Sequence, residues 1–179
     1  MQTDTVLEAA PVATQPDVPV LSKELFRASM AKLAAAVNII TTDGPGGKAG
    51  ITATAMCSLT DEPPMVIVCL NRQARANHAA QANGHLAVNI LGERCQELSA
   101  VFAGQRGLEM EERFETGARW ATLATGSPVL EESVCSLDCE ISQSVEIGTH
   151  NVLYCKIVAI KHFDEDKSLI YHGRQYKSC

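Results

Sequence analysis

The sequence is short of the residues that several ligand classes demand. Aromatic side chains make up 4% of its 179 residues, and Trp120 is the single tryptophan. A platform on which successive bases stack therefore has little to be built from. Basic residues are outnumbered, 15 Lys and Arg against 21 Asp and Glu, for a net charge of -6. With no Lys/Arg cluster, the chain offers no face for nucleic acid or an anionic membrane. No apolar run approaches the roughly 20 residues of a membrane helix; Met65–Leu70 is among the longest. Common site motifs are missing too: no G-x-x-x-x-G-K-[ST], no G-x-G-x-x-G behind a strand, no H-E-x-x-H and no G-x-S-x-G. Seven cysteines are present, an odd number, and none forms a C-x-x-C pair. Cys57, Cys69 and Cys155 sit in apolar strand-like runs, so the thiols read as small hydrophobes and no metal site is expected.

The first twenty residues contain Pro11, Pro16 and Pro19, the acidic Asp4, Glu8 and Asp17, and no basic residue. They lack the charged start and apolar core of a secretory signal and read as a disordered leader. Residues 21–179 are then a single domain, expected in the cytoplasm.

Along that domain, Ser22 offers an N-cap to "KELFRASMAKLAAAV", in which Phe26, Met30, Leu33 and Val37 share one helical face. "VNIITT" reads as a strand and "DGPGG" as a turn, so 37–42 and 49–58 are predicted to pair as a hairpin. The prolines at 63 and 64 end the second strand. "MVIVCLN" is apolar on both parities, as a strand covered on both faces should be. A helix over 75–82 stops near Asn83-Gly84, "HLAVNIL" is a strand, and Leu91, Cys95, Leu98 and Phe102 mark another helix. Residues 104–130 are irregular. "SLDCEISQSVEI" and "VLYCKIVAIKH" form a second hairpin around "GTHN", and "SLIYHGRQY" ends the chain as a short strand. Helices do not alternate regularly with strands, which disfavours a doubly wound sheet and predicts a mainly β fold, a barrel with peripheral helices.

Within "GITATAMCSLT" (50–60) small residues and hydroxyls alternate, giving a strand one small face and one hydroxyl face. An ordinary half-buried strand looks the same. A site for a flat anionic cofactor would also use this pattern. Ala53 and Ala55 let a ring approach the backbone, and Ser58 and Thr60 can donate to phosphate. After the next strand, Arg72 and Arg75 precede a helix N-terminus, where guanidinium forks and the helix dipole suit an anion. His150 sits in the tight turn of the second hairpin and can project from it; His78, His85 and His162 read as surface residues.

Taken together, "FRASMAKLAAAVNIITTDGPGGKAGITATAMCSLTDEPPMVIVCLNR", "NGHLAVNIL", "FAGQRGLEMEERF", "LDCEISQSVEIGTHNVLYCKI" and "LIYHGRQY" resemble the short flavin reductases. These are the reductase components of two-component flavin monooxygenases. The resemblance runs from about residue 24 to the end. It implies an FMN-binding split β-barrel and a homodimer. It also implies a reaction in which NADH reduces FMN or FAD and the reduced flavin passes to a separate monooxygenase. By position, Thr52, Ala53, Thr54 and Ala55 would line the isoalloxazine. Ser58, Thr60, Arg72, Arg75 and Asn77 would surround the ribityl-phosphate arm, and Gly148, Thr149, His150 and Arg174 would face the nicotinamide. Lys177 stands where the family commonly carries histidine. Two other readings stay open: a relative that retains its flavin and reduces another acceptor, and a non-enzymatic flavin- or haem-binding module. Direct hydride transfer between cofactors needs alignment more than acid or base, which agrees with the lack of any catalytic dyad or triad.

Overall fold

The computed structural model describes residues 21–165 and 167–179; the expected leader lies outside the described residues. Ser22 caps the first helix, its hydroxyl accepting from the Leu25 N–H at 3.1 Å. That helix, α1 (Lys23–Met30), is shorter than its periodicity predicts. The next residues find a sheet partner instead. Ala35–Ala36 forms β1, paired antiparallel with β11 (Leu169–His172), and the Val37 N–H donates to the Leu169 carbonyl. Val37 is therefore buried, whereas Phe26, Met30 and Leu33 are 61%, 49% and 63% exposed. The helical stripe exists, but α1 buries no residue against the described residues.

Seven antiparallel strands make the main sheet. In spatial order they are β3 (Ala49–Ala53), β2 (Asn38–Thr42), β6 (His85–Leu91), β9 (Ser133–Ile147), β10 (His150–His162), β5 (Pro64–Asn71) and β4 (Met56–Asp61). β11 also pairs with β12 (Gln175–Ser178), and β7 (Trp120–Thr122) pairs with β8 (Pro128–Leu130). The expected single strand over 49–58 is corrected here: it is two strands, β3 and β4, at opposite edges of one sheet. Only Thr54 and Ala55 separate them. So short a link spans about 10 Å at most, so the sheet must curl until its edges approach. Those edges pair with β2 and β5, and not with each other, which leaves a barrel split along one seam. The mainly β split barrel expected from the sequence is the architecture found.

Alternate residues of the strands serve two cores. Ile40 joins Val66, Val68, Leu86, Val88 and Leu153 in one cluster. Its neighbour Ile39, on the opposite face, joins Val37, Leu91, Phe102, Phe114 and Leu130 under the helices. α2 (Arg75–Asn83) ends where predicted, with Gly84 left-handed at φ 77°. α3 (Gln96–Phe102) starts later than expected because Leu91 still belongs to β6. The 104–130 segment is less irregular than its turn signals suggest, since it contains α4 (Met110–Arg113), β7 and β8. Phe102, Phe114 and Trp120 pack together there, with ring centroids 5.0 to 5.7 Å apart. Gly50 lies beneath them, and a Cβ at that position would come within 2.6 Å of the Phe102 ring.

Candidate functional site

Three segments singled out by the sequence meet at one end of the barrel. The Cys69 N–H donates to the Ala55 carbonyl, so the link between the two edge strands sits beside the last residues of β5. His150 pairs with Asn71 across β5 and β10, and the Arg72 N–H donates to the Thr149 carbonyl at 2.9 Å. The β9–β10 turn is tight because Gly148, at φ 56°, takes the positive-φ position that a two-residue hairpin requires. Between α2 and this turn opens a cavity of about 620 Å³, lined by Arg72, Asn77, Gln81, Gly148, Thr149 and Asn151 among others. Two residues expected at the flavin arm and two expected at the nicotinamide thus share one hollow.

Asn77 and Asn151 are 1% and 3% exposed and form the floor. The Asn77 amide donates to Asn151 Oδ1 at 3.0 Å, Asn151 donates to Ser144, and Ser144 donates to Gln81. One buried acceptor, Asn77 Oδ1, is left without a partner. Above this floor Arg72 is paired with Glu146 at 2.9 Å. Arg75 points elsewhere, its guanidinium bonded to Glu111 of α4, whose carboxyl it holds below the usual carboxylate range.

Ser58 and Thr60 are not part of this cavity. Their register partners are Val66 and Met65, near the start of β5, whereas Arg72 and Asn77 follow its end. Most of the length of β5 lies between the two sets, about 20 Å of extended strand. The structure does not bring all five residues expected around the ribityl-phosphate arm to one phosphate: the two sets lie at opposite ends of β5. The alternation of hydroxyls along "GITATAMCSLT" carried no information about where the strand breaks.

A second cleft, of about 370 Å³, holds Thr52, Ala53, Thr54 and Arg174 together with Tyr171 and Tyr176. The Thr52 hydroxyl donates to the Ser99 carbonyl at 2.7 Å, and Ser99 meets the Tyr176 hydroxyl at 2.9 Å. Thr52 therefore ties β3 to α3, and Ala53 and Thr54 are left as the small wall of the cleft. The Tyr171 and Tyr176 rings meet edge to face at 5.3 Å on the other side. Asn38 donates to the Ala53 carbonyl, and its own Oδ1 is the second buried acceptor without a partner. Arg174 stands at the tip of the β11–β12 hairpin with φ 63°, the one non-glycine residue with positive φ among the described residues. His150 lies outside the lining of both hollows, exposed on its turn with Nδ1 2.9 Å from the Thr149 hydroxyl. Tyr171, Tyr176 and Asn151 line the two hollows without being expected there. A signal for Asn151 existed, a polar side chain at an inward parity of β10 between His150 and Leu153.

The residues present fit a flavin. Unpaired buried acceptors call for donors, which ribityl hydroxyls and a ring N–H provide, and the small wall at 53–55 leaves main chain approachable. The buried thiols contribute no nucleophile: burial pushes Cys95 up to about 11 and Cys155 up to about 12.

A family model described as "Flavin reductase like domain" matches residues 30–179. The chain is 51% identical over 163 residues to the protein named FMN reductase (NADH) RutF from Stutzerimonas stutzeri, covering 91% of each chain. It is 54% identical over 158 residues to the protein of the same name from Variovorax paradoxus, covering 88% of this chain and 86% of the relative. Among solved structures, the flavin reductase PheA2 superposes with a TM-score of 0.79 at 29% identity, covering 89% of this chain and 99% of its own.

Proposed function

The chain belongs to the flavin reductase like family, and on that premise we propose that it is an NADH-dependent flavin reductase that supplies reduced flavin to a separate monooxygenase. FMN is the flavin we assign, because the relatives are named for it. The observation that carries the reading is the meeting of the 71–77 loop and the 148–150 turn around the unpaired Asn77 acceptor, with the Ala55 end of the 52–55 link bonded to β5 beside them. A bound flavin supplies the hydride acceptor, and the balanced reaction takes NADH, FMN and a proton to NAD⁺ and FMNH₂. The protein's part is to hold two rings in register and exclude water, and alignment of this kind is worth roughly 7–11 kcal/mol at best. In this reading the Asn77–Asn151 floor and Arg72 hold the ribityl-phosphate arm. Ala53–Ala55 bring main chain to the ring, and Tyr171, Tyr176 and Arg174 flank the donor. Ser58 and Thr60 touch the flavin away from its phosphate. Arg75 acts through Glu111 rather than on the ligand.

We assign a homodimer on a separate observation. Leu21, Leu25, Phe26, Met30 and Leu33 are all exposed along and beside α1, an apolar stripe that none of the described residues covers. Twofold pairing is the commonest way to cover such a face. The seven free thiols suit the reducing cytoplasm. Among the described residues no helix is long and apolar enough to cross a membrane.

The test is steady-state NADH oxidation with and without added FMN. A rate that depends on added flavin supports the reductase reading. Full activity from flavin retained through purification would favour a resident cofactor and another acceptor. No oxidation in either condition would remove the enzymatic reading. Light scattering at micromolar concentration that returns a mass near 19.2 kDa, one chain, would remove the dimer.

A further inference from the structure

The arginines that sequence reasoning assigned to phosphate already hold carboxylates, Arg72 on Glu146 and Arg75 on Glu111. The C-terminal hairpin is arranged differently. From Lys167 to Cys179 the chain has no Asp or Glu, although the whole protein carries a net charge of -6. Among the described residues neither Arg174 nor Lys177 is ion-paired. Lys177 Nζ instead lies 3.2 Å from His172 Nδ1 and donates to it, because an ammonium cannot accept. The ammonium and the imidazole are thus held together with no anion between them, and a second cation, Arg174, stands at the adjoining hairpin tip.

The register places these groups in order. Tyr171 pairs with Tyr176, and their rings meet on the face that lines the second cleft. Ile170 pairs with Lys177 and His172 with Gln175, so His172 and Lys177 share the opposite face, and Arg174 occupies the tip between the two. A ligand with its ring against the tyrosines would pass Arg174 and reach Lys177 and His172 with its far end.

We propose that Lys177 and His172, with Arg174, form a phosphate-monoester site that receives the adenosine 2′-phosphate of NADPH, so that this chain takes NADPH as a donor alongside NADH. The inference rests on the reductase reading above. It names a determinant of donor choice that lies outside the ring cleft. A dianionic monoester suits the pair because it can accept from the ammonium and the imidazole together, and charge-assisted contacts of this kind are the strong ones.

The test is calorimetric titration with 2′,5′-ADP and 5′-AMP at low ionic strength, which needs no turnover. The wild-type protein should bind 2′,5′-ADP about tenfold more tightly, the factor expected of one charge-assisted contact. In Lys177→Gln the preference should fall to within about twofold, and in Lys177→Arg, which keeps the charge, it should persist. Equal binding of the two nucleotides by the wild type, or a preference that survives Lys177→Gln, overturns the proposal. So does a tenfold loss of FMN affinity in Lys177→Gln, followed through Trp120 fluorescence, because it would give the site to the flavin's own phosphate. Absence of NADH oxidation with added FMN would instead strike the reductase reading, and the nucleotide titration would still decide this one.

Discussion

Replacing Arg174 with asparagine should make the protein more stable and a poorer enzyme. The β11–β12 turn has positive φ at both central residues, Gly173 at 61° and Arg174 at 63°. That is the geometry of a type I′ hairpin, where asparagine and glycine are preferred. An L-residue with a Cβ gives up roughly 1–2 kcal/mol in the left-handed region, and asparagine recovers part of that through its short polar side chain. A gain of about 1 kcal/mol corresponds to a rise in Tm of about 2–4 °C for a chain of this length. The same change removes a guanidinium from the cleft that holds Thr52, Ala53 and Thr54. Arg174 is exposed, so its contact with a donor nucleotide is worth about 1 kcal/mol, or a rise of about fivefold in the KM for NADH. Scanning calorimetry and NADH-varied kinetics at saturating FMN measure the two effects separately. A fall in Tm would show that contacts of Arg174 outweigh its backbone strain. A rise in Tm with unaltered kinetics would show that the strain has no part in the site.

Arg72→Ala should weaken FMN binding by about 1–2 kcal/mol, somewhat less than a full charge-assisted bond, because Arg72 must first leave a half-exposed pair with Glu146. Ser58→Ala should act independently, and a double-mutant coupling above about 0.5 kcal/mol would restore the single phosphate cradle that the strand register excludes. His150→Ala should raise the KM for NADH severalfold while FMN affinity is kept, and wild-type kinetics in both His150→Ala and His150→Asn would remove His150 from the site. Thiol titration of the folded protein should label exposed Cys57 and Cys179 quickly, while Cys95 and Cys155, pushed up to about 11 and about 12, stay protonated and protected. Rapid labelling of either buried thiol would contradict the packing of the two cores.

Much of the fold is legible in the sequence, because each strand carries its own signal. The apolar runs of β5 and β6, the glycine turn of the β9–β10 hairpin and the Asn83-Gly84 end of α2 are local features. The failures are all non-local. Phe26, Met30 and Leu33 have helical spacing, yet nothing in that spacing shows that Ala35–Ala36 will be taken by β11. The alternation through 50–60 continues smoothly across Thr54-Ala55, where the chain leaves one sheet edge for the other. The site was legible in the same proportion. Short motifs named Arg72, Asn77, Gly148, Thr149 and Arg174, which do line the two hollows. Periodicity could not show that Tyr171 and Tyr176, at the far end of the chain, complete the wall opposite Ala53. Nor could it show that Arg75 is turned toward Glu111, whose helix forms in a segment that reads as loop.

The link at Thr54-Ala55 also bears on how the molecule assembles. The sheet contains three hairpins that can form early from local contacts: β2–β3, β4–β5 and β9–β10. β6 joins the first to the third, and β10 receives β5 of the second, so the order β3-β2-β6-β9-β10-β5-β4 is complete only after long-range pairing. Such pairing is slow, because the chain entropy of closure is lost before the contacts return it. Residues 54–55 connect the two ends of that order, so they reach their final conformation with the last strand to dock. The seat proposed for the flavin ring is therefore among the last parts of the protein to exist. Acquisition of flavin affinity during refolding would report completion of the whole sheet, not the arrival of any one element.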